Sequence, residues 1–475
     1  MNIMSEIFTS KASASVAMLC LASTLCAQTQ QVNDSNTPLH LMKPAYRIGY
    51  TIPKAEDVKQ TMDRVRDYLE RTTFAQVENK NTHEVITNYK KIDEESQLVR
   101  GTFRLTSYEW GVTYSAMLRA GEVTGDKKYS DYATRRMTFL AEVAPHFRSL
   151  TEKGKKIDPL MHQVTSPAAL DDAGAICAAM IKAKMSASPL GLTEKQVEAL
   201  DKQISVYHTY IDKGQYRLSD GTLARMRPLK NTVWLDDMFM GIPALAWKAA
   251  ADNNNGGLDE AVRQFGLFHK KMWVRSNNLY RHGWVEDMDP HPSFFWGRAN
   301  GWALLTACEL LDALPESDPA RGSVMEAFKN HLKGIVPLQH YDGAWHQLLN
   351  RNDTYLETSC TAIYAYCMAH AINKGWIDPQ AYGPSAILAW NYVNTQINQE
   401  GQVCGTCVGT GMAFDPAFYA YRPVNKIAAH GYGPVIWAAA EIIEMVSKHH
   451  IQMNDSAIQF YPEDPKTDAP IFYVK

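Results

Sequence analysis

Apolar residues recur at helical spacing along most of the chain, and few runs show the alternation that is typical of half-buried strands. One clear window runs through Leu170, Ala173, Cys177, Met180 and Ile181. Twelve such windows can be counted, and the pattern therefore predicts an all-α protein. The predicted helices lie near residues 56–75, 105–122, 127–148, 166–187, 194–214, 234–252, 256–276, 296–314, 318–340, 355–374, 376–398 and 430–448.

Helix-start signals separate several of these windows. Ser166 precedes Pro167, which is typical of an N-cap followed by proline in the first turn. Thr193 and Gln196 have the spacing of a capping box. The helices fall into six successive pairs that repeat at a spacing near sixty residues, and six helical hairpins in series predict a closed (α/α)6 barrel. An open helical solenoid has the same local pattern, but closure is favoured because neither end pair has a polar capping face.

In a closed barrel the inner helices run parallel, so the residues that open them share one rim. Polar and aromatic residues stand at these openings: Tyr108, Glu109, Trp110, Asp171, Asp172, Trp234, Asp236, Asp237, Trp296, Arg298, Glu357, Ser359 and His430. The positive dipole ends of the inner helices also meet there, which favours an anionic ligand. The sequence therefore predicts a ligand site at this rim, with Trp110 among its aromatic contacts.

Two Asp-Asp pairs, at 171–172 and 236–237, are the strongest candidates for catalysis. Carboxylates in a shared cavity raise the pKa of one another, and acid/base chemistry on sugars uses a protonated Asp beside an ionised one. The alternative is that these acidic residues only stabilise the first turns of their helices through the helix dipole.

Arg298, between Trp296 and Trp302, is the second signal. The guanidinium of an arginine can bind a carboxylate with two bonds, and indole faces stack on sugar rings. The alternative is a surface salt bridge beside two structural tryptophans. His282 is a possible hydrogen-bond donor to the ligand, although a lone histidine is more often structural.

The composition excludes several other classes of protein. The chain has 475 residues, of which 45% are hydrophobic and 21% charged, as in an ordinary globular protein. The formal net charge of −3 provides no positive field for nucleic acid. No signature of a serine esterase, a P-loop NTPase, a zinc protease or a dinucleotide-binding enzyme is present, so we predict no metal and no cofactor. Cys404-Gly-Thr-Cys407 has the spacing of a redox motif without its structural context, which favours two thiols in a loop and leaves a disulfide between them open.

The N-terminal residues have the pattern of a secretory signal. Lys11 precedes the apolar run Ala14–Ala22, and small residues lead to a cleavage site at Ala27. Leu25 before Cys26 argues against a lipoprotein anchor. We expect a signal peptide over 1–27, an N-terminal extension over 28–54, the barrel over 55–450 and a C-terminal tail over 451–475. The protein is then expected to be exported to the periplasm or secreted, without a membrane anchor.

Three segments of the chain carry a resemblance to a known family. They are Phe295–Trp302, Trp234–Met240, and Gly343–Gln347 together with Tyr355–Ser359. In this order they resemble glycoside hydrolase family 105, the unsaturated rhamnogalacturonyl hydrolases, and the related unsaturated glucuronyl hydrolases of family 88. The resemblance extends from about Ala55 to His449. It implies an (α/α)6 barrel without metal or nucleotide, which removes a 4,5-unsaturated uronic acid from the non-reducing end of lyase-generated oligosaccharides.

The resemblance also implies the chemistry and the residues. In the family an Asp protonates C4 of the enol ether, water adds at C5, and the resulting hemiketal opens to release the aglycone. Asp236 matches the general acid/base, and the second family Asp matches either Asp171 or Asp172. The positions that match sugar-contacting residues are His282, Trp296, Arg298 and Trp302.

One departure from the family pattern lies in the expected cavity wall, because Arg225 stands eleven residues before Asp236, where we expect a histidine. We count Arg225 among the substrate-binding candidates, and the change predicts an altered choice of saccharide. Pectin-derived rhamnose, galactose-linked units and sulfated algal chains all stay open as the aglycone. Two rival functions also remain: an inverting glycosidase that acts on saturated oligosaccharides, and a non-catalytic saccharide-binding barrel.

Overall fold

The structure, a computed structural model, describes residues 47–454 and 457–461. Long helices make up most of these residues, and we number them α1 to α12 in chain order. They are α1 (Ala55–Thr72), α2 (Tyr108–Thr124), α3 (Lys127–Glu152), α4 (Leu170–Met185), α5 (Glu194–Thr209), α6 (Asp236–Ala251), α7 (Asn255–Met272), α8 (Gly297–Ala313), α9 (Arg321–Ile335), α10 (Thr358–Asn373), α11 (Pro379–Thr395) and α12 (Tyr432–Lys448). Short helices span Pro159–Thr165, Ala187–Leu190 and Pro416–Ala420.

The even-numbered helices form a closed inner ring. Each packs against the next even-numbered helix, from α2 through α4, α6, α8 and α10 to α12, and α12 packs against α2. The odd-numbered helices lie outside them. The predicted (α/α)6 barrel is therefore confirmed, and the open solenoid is wrong.

The inner and outer helices differ in how much of their surface is buried. In the inner helix α10, fifteen of the sixteen residues are buried. The outer helix α1 buries a single face, formed by Val58, Thr61, Met62, Val65, Tyr68 and Leu69. Some inner helices approach one another backbone to backbone, since a Cβ on Gly174 of α4 would lie 1.5 Å from the carbonyl oxygen of Met240 in α6. The hydrophobic core thus fills the barrel axis and the space between the rings.

The connections that lead from outer to inner helices all lie at one end of the barrel, and short antiparallel strand pairs stiffen them. These pairs are β1 (Val77–Asn79) with β2 (Ser96–Leu98), β3 (Thr232–Trp234) with β6 (Gly283–Val285), β4 (Trp273–Val274) with β5 (Leu279–Tyr280), and β7 (Trp345–His346) with β8 (Leu356–Glu357). A further pair, β9 (His450–Met453) with β10 (Ile458–Tyr461), follows α12. The sequence pattern did not predict these strands, because two to four residues are too few to show alternation.

The predicted helix starts were correct in one case and wrong in another. Thr193 and Gln196 bond reciprocally and open α5 as predicted. Ser166 instead follows the short helix Pro159–Thr165, and α4 begins only at Leu170. The reason is that the Asp172 carboxylate accepts hydrogen bonds from the backbone N–H groups just before Leu170.

Among the described residues, no single helix is long and apolar enough to span a bilayer; only Pro159–Thr165 and Leu170–Met185 taken together reach that length, and they are bent by 66°. The expected signal peptide, most of the expected N-terminal extension and the end of the expected C-terminal tail lie outside the described residues.

Candidate active site

A strand pair joins the start of α6 to the connection between α7 and α8. In this pairing of β3 with β6, Trp234 lies opposite Gly283. The backbone N–H of Leu235 donates to the carbonyl of His282 at 2.9 Å. The pairing brings Nε2 of His282 to 2.9 Å from Oδ2 of Asp236. The two candidate residues are therefore direct partners at the N-terminal rim of the inner ring.

The Asp236 carboxyl is mostly enclosed, with 13% of its side chain exposed. Burial acts to raise the pKa of Asp236, but the charge and hydrogen bond of His282, with the charges of Arg225 and Arg298, outweigh it and hold that pKa below 3.8. Asp236 is therefore ionised at neutral pH. Because Nε2 of His282 contacts it, the pair can hold one transferable proton.

Arg225 lies between two other carboxylates of the predicted set. It donates to both oxygens of Asp171 at 3.0 and 2.8 Å, and to both oxygens of Asp237 at 2.8 and 2.6 Å. Asp237 is fully buried, whereas 26% of the Asp171 side chain is exposed. Burial raises the pKa of Asp237, and the Arg225 guanidinium opposes that rise. Asp171 is thus the carboxylate of this cluster that a ligand can reach.

Asp172 has a different role from its neighbour Asp171. Its Oδ2 accepts the backbone N–H groups of Ala168 at 2.9 Å and Ala169 at 3.1 Å. Burial raises the pKa of Asp172, with a smaller contribution from the charge of Asp171. The helix-stabilising alternative from the sequence therefore describes Asp172 well, and the geometry favours Asp171 as the second carboxylate of the site.

Arg298 is buried at the start of α8. One Nη donates to Oγ of Ser359 at 3.2 Å and to the carbonyl of Cys407 at 2.8 Å, and the other donates to the carbonyl of Val408 at 2.8 Å. Its guanidinium lies over the Trp296 ring at 4.5 Å. The alternative of a surface salt bridge is therefore wrong. Nε of Arg298 is a buried donor without a partner among the described residues.

Three further residues stand at the helix openings noted in the sequence but were not singled out there as catalytic or substrate-binding residues. The hydroxyl of Tyr108 contacts Nε2 of His430 at 2.5 Å, and Oε1 of Glu109 lies 3.4 Å from the same nitrogen. Burial raises the pKa of Tyr108, and the negative charges of Glu109, Asp171 and Asp236 add to that rise. Burial also raises the pKa of Glu109 and lowers that of His430. The openings of α2 and α12 therefore belong to the same electrostatic cluster as Asp236.

Comparison with known proteins identifies a matching family. The family model described as Glycosyl Hydrolase Family 88 matches residues 68–446, which is most of the chain. The chain belongs to this family. The predicted relationship to families 105 and 88 is thereby confirmed.

Two curated relatives and one solved structure illustrate the similarity. The chain is 27% identical over 212 residues to the unsaturated rhamnogalacturonyl hydrolase YesR of Bacillus subtilis, covering 44% of this chain and 60% of that protein. It is 26% identical over 223 residues to the unsaturated 3S-rhamnoglycuronyl hydrolase of Formosa agariphila, covering 45% of this chain and 58% of that protein. These matches therefore span less than two thirds of either relative. A structure from Klebsiella pneumoniae, described as a possible member of family 105, has a TM-score of 0.63 at 19% identity and covers 87% of this chain and 98% of that one, which shows a shared fold.

The structure does not bring all the predicted tryptophans to the site. Trp110 is fully buried, and its indole N–H donates to the hydroxyl of Tyr132 in α3, so the structure places it in the core and not at the open rim. Trp302 packs face to face on Phe239 inside the ring and is likewise buried rather than open for stacking. Both residues lie on inner helices, where the sequence cannot separate the rim from the core.

The other two tryptophans of the motifs do lie at the site. Trp296 is buried behind His282, with ring centroids 4.7 Å apart, and so forms the wall that holds the imidazole. Trp234 is half-buried, and the guanidinium groups of Arg225 and Arg227 lie 4.4 and 5.3 Å from its ring. Trp234 is thus the aromatic face of the motifs that a sugar can reach.

A cavity of about 510 Å³ lies at the opposite end of the barrel, where the inner helices end. Its charged groups are paired with one another. Lys182 bonds to Glu309 at 2.5 Å, and the ring of His370 contacts Asp312 at 2.9 Å and Glu441 at 3.0 Å. We interpret this cluster as structural, because its charges already have partners within the protein.

No three His, Cys, Asp or Glu side chains among the described residues gather closely enough to hold a metal ion. Cys404 and Cys407 are free thiols there. Sγ of Cys407 accepts a hydrogen bond from Gln347 at 3.2 Å, which agrees with two thiols in a loop.

Proposed function

We propose that this protein removes a 4,5-unsaturated uronic acid from the non-reducing end of lyase-generated oligosaccharides by hydrating the C4=C5 double bond. The observation that supports this most is the contact between Asp236 and His282 at a rim that also holds Arg298 and Asp171. The family membership and the printed names of the curated relatives support the same reaction.

The first chemical step needs a proton at C4. Asp236 takes a proton from Nε2 of protonated His282 through the 2.9 Å contact and passes it to C4. Asp236 is then a carboxylate again, accepts a proton from the water that attacks C5, and returns it to His282. The hemiketal so formed opens to a ketone, and the aglycone leaves with its glycosidic oxygen.

The uronate carboxylate of the substrate needs cationic partners. The rim offers the inner-helix N-termini, the buried guanidinium of Arg298 with its unpartnered Nε, and the exposed Arg227 beside Asp171. Trp234 provides the face on which a sugar ring stacks. This set of groups favours an acidic sugar over a neutral one.

For the aglycone we propose a rhamnose-linked uronide. The relatives in Bacillus subtilis and Formosa agariphila are named for rhamnogalacturonyl and 3S-rhamnoglycuronyl substrates. Arg227, which is 64% exposed and lies 5.3 Å from the ring of half-buried Trp234, provides a cation at the rim, whereas Arg225 is already paired with two carboxylates. The proposal therefore includes aglycones that carry an anionic substituent.

A panel of unsaturated disaccharides made by different lyases tests the proposal. Loss of the conjugated ultraviolet absorbance together with release of the aglycone is expected, fastest with a rhamnose aglycone. Each unsaturated disaccharide is run beside its saturated counterpart, which should not react. Equal cleavage of the saturated compound would favour the inverting-glycosidase rival, and binding without turnover would favour the non-catalytic barrel.

We also propose that the protein is exported and that its mature chain begins at Gln28. The support is the sequence pattern of residues 1–27. N-terminal sequencing of the protein recovered from a periplasmic or culture fraction tests this, and recovery of an intact Met1 from the cytoplasm would contradict it.

A further inference from the structure

The imidazole of His282 has a second hydrogen-bond partner besides Asp236. Its Nδ1 lies 2.7 Å from the hydroxyl of Tyr419, which comes from the short helix Pro416–Ala420 in the connection between α11 and α12. Tyr419 stands 137 residues away in the chain. Asp236, His282 and Tyr419 therefore form one continuous hydrogen-bonded row.

Tyr419 is held firmly from both ends. Its hydroxyl accepts the backbone N–H of Ala413 at 3.1 Å and can donate to the carbonyl of the same residue at 3.5 Å. Its own carbonyl accepts from Nε2 of Gln347 at 3.2 Å, and Oε1 of Gln347 accepts the indole N–H of Trp296 at 3.1 Å. The side chain is fully buried. The phenol oxygen is thus fixed beside His282 by the protein and not by solvent.

The direction of the bond between Tyr419 and His282 follows from the charges around the row. Burial raises the pKa of Tyr419, so the phenol keeps its proton and cannot act as a base. The positive charge of His282 helps to hold Asp236 ionised, and a charged imidazole donates from both nitrogens. Nδ1–H of His282 then donates to the oxygen of Tyr419, and Nε2–H donates to Asp236.

We propose that Tyr419 is a positioning residue that accepts Nδ1–H of His282 and so keeps the transferable proton on Nε2, facing Asp236. The proposal rests on the proposed function for its kinetic consequence, but not for its geometry. Asp236 takes the Nε2 proton of His282 and gives it to C4, while neutral His282 retains Nδ1–H on Tyr419. The proton that the attacking water gives to Asp236 then returns to Nε2 of His282, so the balance closes within Asp236, His282, water and the substrate, and no proton is lost to the phenol.

The charged groups that act on this row are few among the described residues. Arg225 and Arg298 lower the pKa of Asp236, Asp237 and Tyr108 also interact electrostatically with it, and Asp236 and Asp415 raise the pKa of Tyr419. The rings of Trp234 and Trp296 cover His282 without charge. Removing the phenol oxygen therefore changes the protonation of Asp236 and His282 and leaves every charged group in place.

The test is Tyr419→Phe, which keeps the ring and deletes the oxygen. At neutral pH we expect kcat to fall roughly ten- to a hundredfold, the scale of one hydrogen bond to a charged group, with KM within about twofold. The alkaline limb of the pH–rate profile should move to lower pH, because the variant lacks the oxygen that accepts Nδ1–H. The rate deficit should therefore shrink as the pH falls. An equal loss of rate at every pH would overturn the proposal, since a merely structural role predicts that result.

Tyr355→Phe is the matched control. The hydroxyl of Tyr355 donates to the carbonyl of Arg422 at 2.9 Å. Arg422 lies in the same connection between α11 and α12 as Tyr419, whereas Tyr355 precedes α10. This variant should keep the wild-type pH profile, so a profile shifted in both variants would contradict a specific role for Tyr419.

Nitrogen-15 spectra of His282 provide a readout that needs no substrate and no variant of Tyr419. His282→Asn identifies the signal by its loss. In the wild-type protein the Nδ1 signal should be that of a nitrogen that carries a proton. An Nδ1 without a proton would overturn the proposal, whereas inactivity on unsaturated uronides with a protonated Nδ1 would contradict the proposed function alone.

Discussion

Nε2 of His282 lies 2.9 Å from Oδ2 of Asp236, although 46 positions separate the two residues in the chain. The short pairing of β3 with β6 produces this contact, and Trp296 and Trp234 shield it from solvent. A carboxylate whose pKa lies below its usual value becomes able to supply a proton only through such a partner.

Asp236→Asn should keep the shape of the site and remove the acid/base. Loss of a general acid typically costs about two to four orders of magnitude in rate, and we expect that loss in kcat on an unsaturated disaccharide. Circular dichroism and thermal unfolding should show a folded variant. Near-wild-type turnover would contradict the assignment and direct attention to Asp237 or Asp171.

Asp171→Asn and Asp172→Ala should separate a site carboxylate from a helix cap. Asp171 is partly exposed beside Arg225, so its variant should lose activity and keep most of its stability. Asp172 caps α4, so its variant should lose about 1 kcal/mol of unfolding free energy, as is typical of a lost cap, and keep most of its activity. The reverse pattern would exchange the roles of the two residues.

Arg298→Lys should affect both binding and stability. The variant loses the planar fork that bonds to the carbonyls of Cys407 and Val408, and a lysine cannot reproduce it. We expect the Michaelis constant for a charged substrate to rise several-fold and the unfolding free energy to fall by about 2 kcal/mol. Arg422→Lys, in the same connection but partly exposed, is the control and should change both quantities little.

The ionic cluster at the far end of the barrel should make stability depend on pH. The pKa of Glu441 lies well below its usual 4.5, because the charges and hydrogen bonds of His370 and Arg119 outweigh the effect of burial. Its stabilising effect is therefore complete above pH 4.5 and is lost as the pH falls towards the lowered pKa.

Glu441→Gln tests this by removing the titrating group. It should lower the unfolding free energy at neutral pH by about 3 kcal/mol and flatten the acid dependence measured by denaturant titration. Glu444→Gln, on the same helix and also bonded to Arg119, is the matched control and should cost less than about 1 kcal/mol. Equal losses in the two variants would contradict a special role for Glu441.

Much of the architecture could be predicted from the sequence, because helical periodicity over fifteen or more residues is a strong signal. The twelve predicted windows correspond to α1–α12, and their pairing predicted the ring. The start of α4 was missed because a capping carboxylate at Asp172 outweighed the Ser166-Pro167 signal.

The site itself was predicted only in part. Asp236, His282, Trp296 and Arg298 stand in recognisable motifs, and the structure brings them together. Tyr419 stands in no motif, and only the folded connection between α11 and α12 brings it to His282.

Burial explains why two of the predicted tryptophans do not line the rim. Trp110 and Trp302 have the residue type of a sugar platform but point into the core, and no sequence period distinguishes the two directions on a helix that is buried all round.

The most direct test of the central claim is the fate of solvent hydrogen at C4. An unsaturated disaccharide is incubated with the protein in heavy water, and the products are reduced at once with borohydride so that no carbonyl can exchange further. Mass spectrometry then counts the deuterium bound to carbon in the uronate. If Asp236 protonates C4, each released uronate carries one solvent-derived deuterium on that carbon, and Asp236→Asn yields almost none within the same time. Aglycone release at the wild-type rate without deuterium at C4 would contradict the account, because the bond to the aglycone would then break without hydration of the double bond.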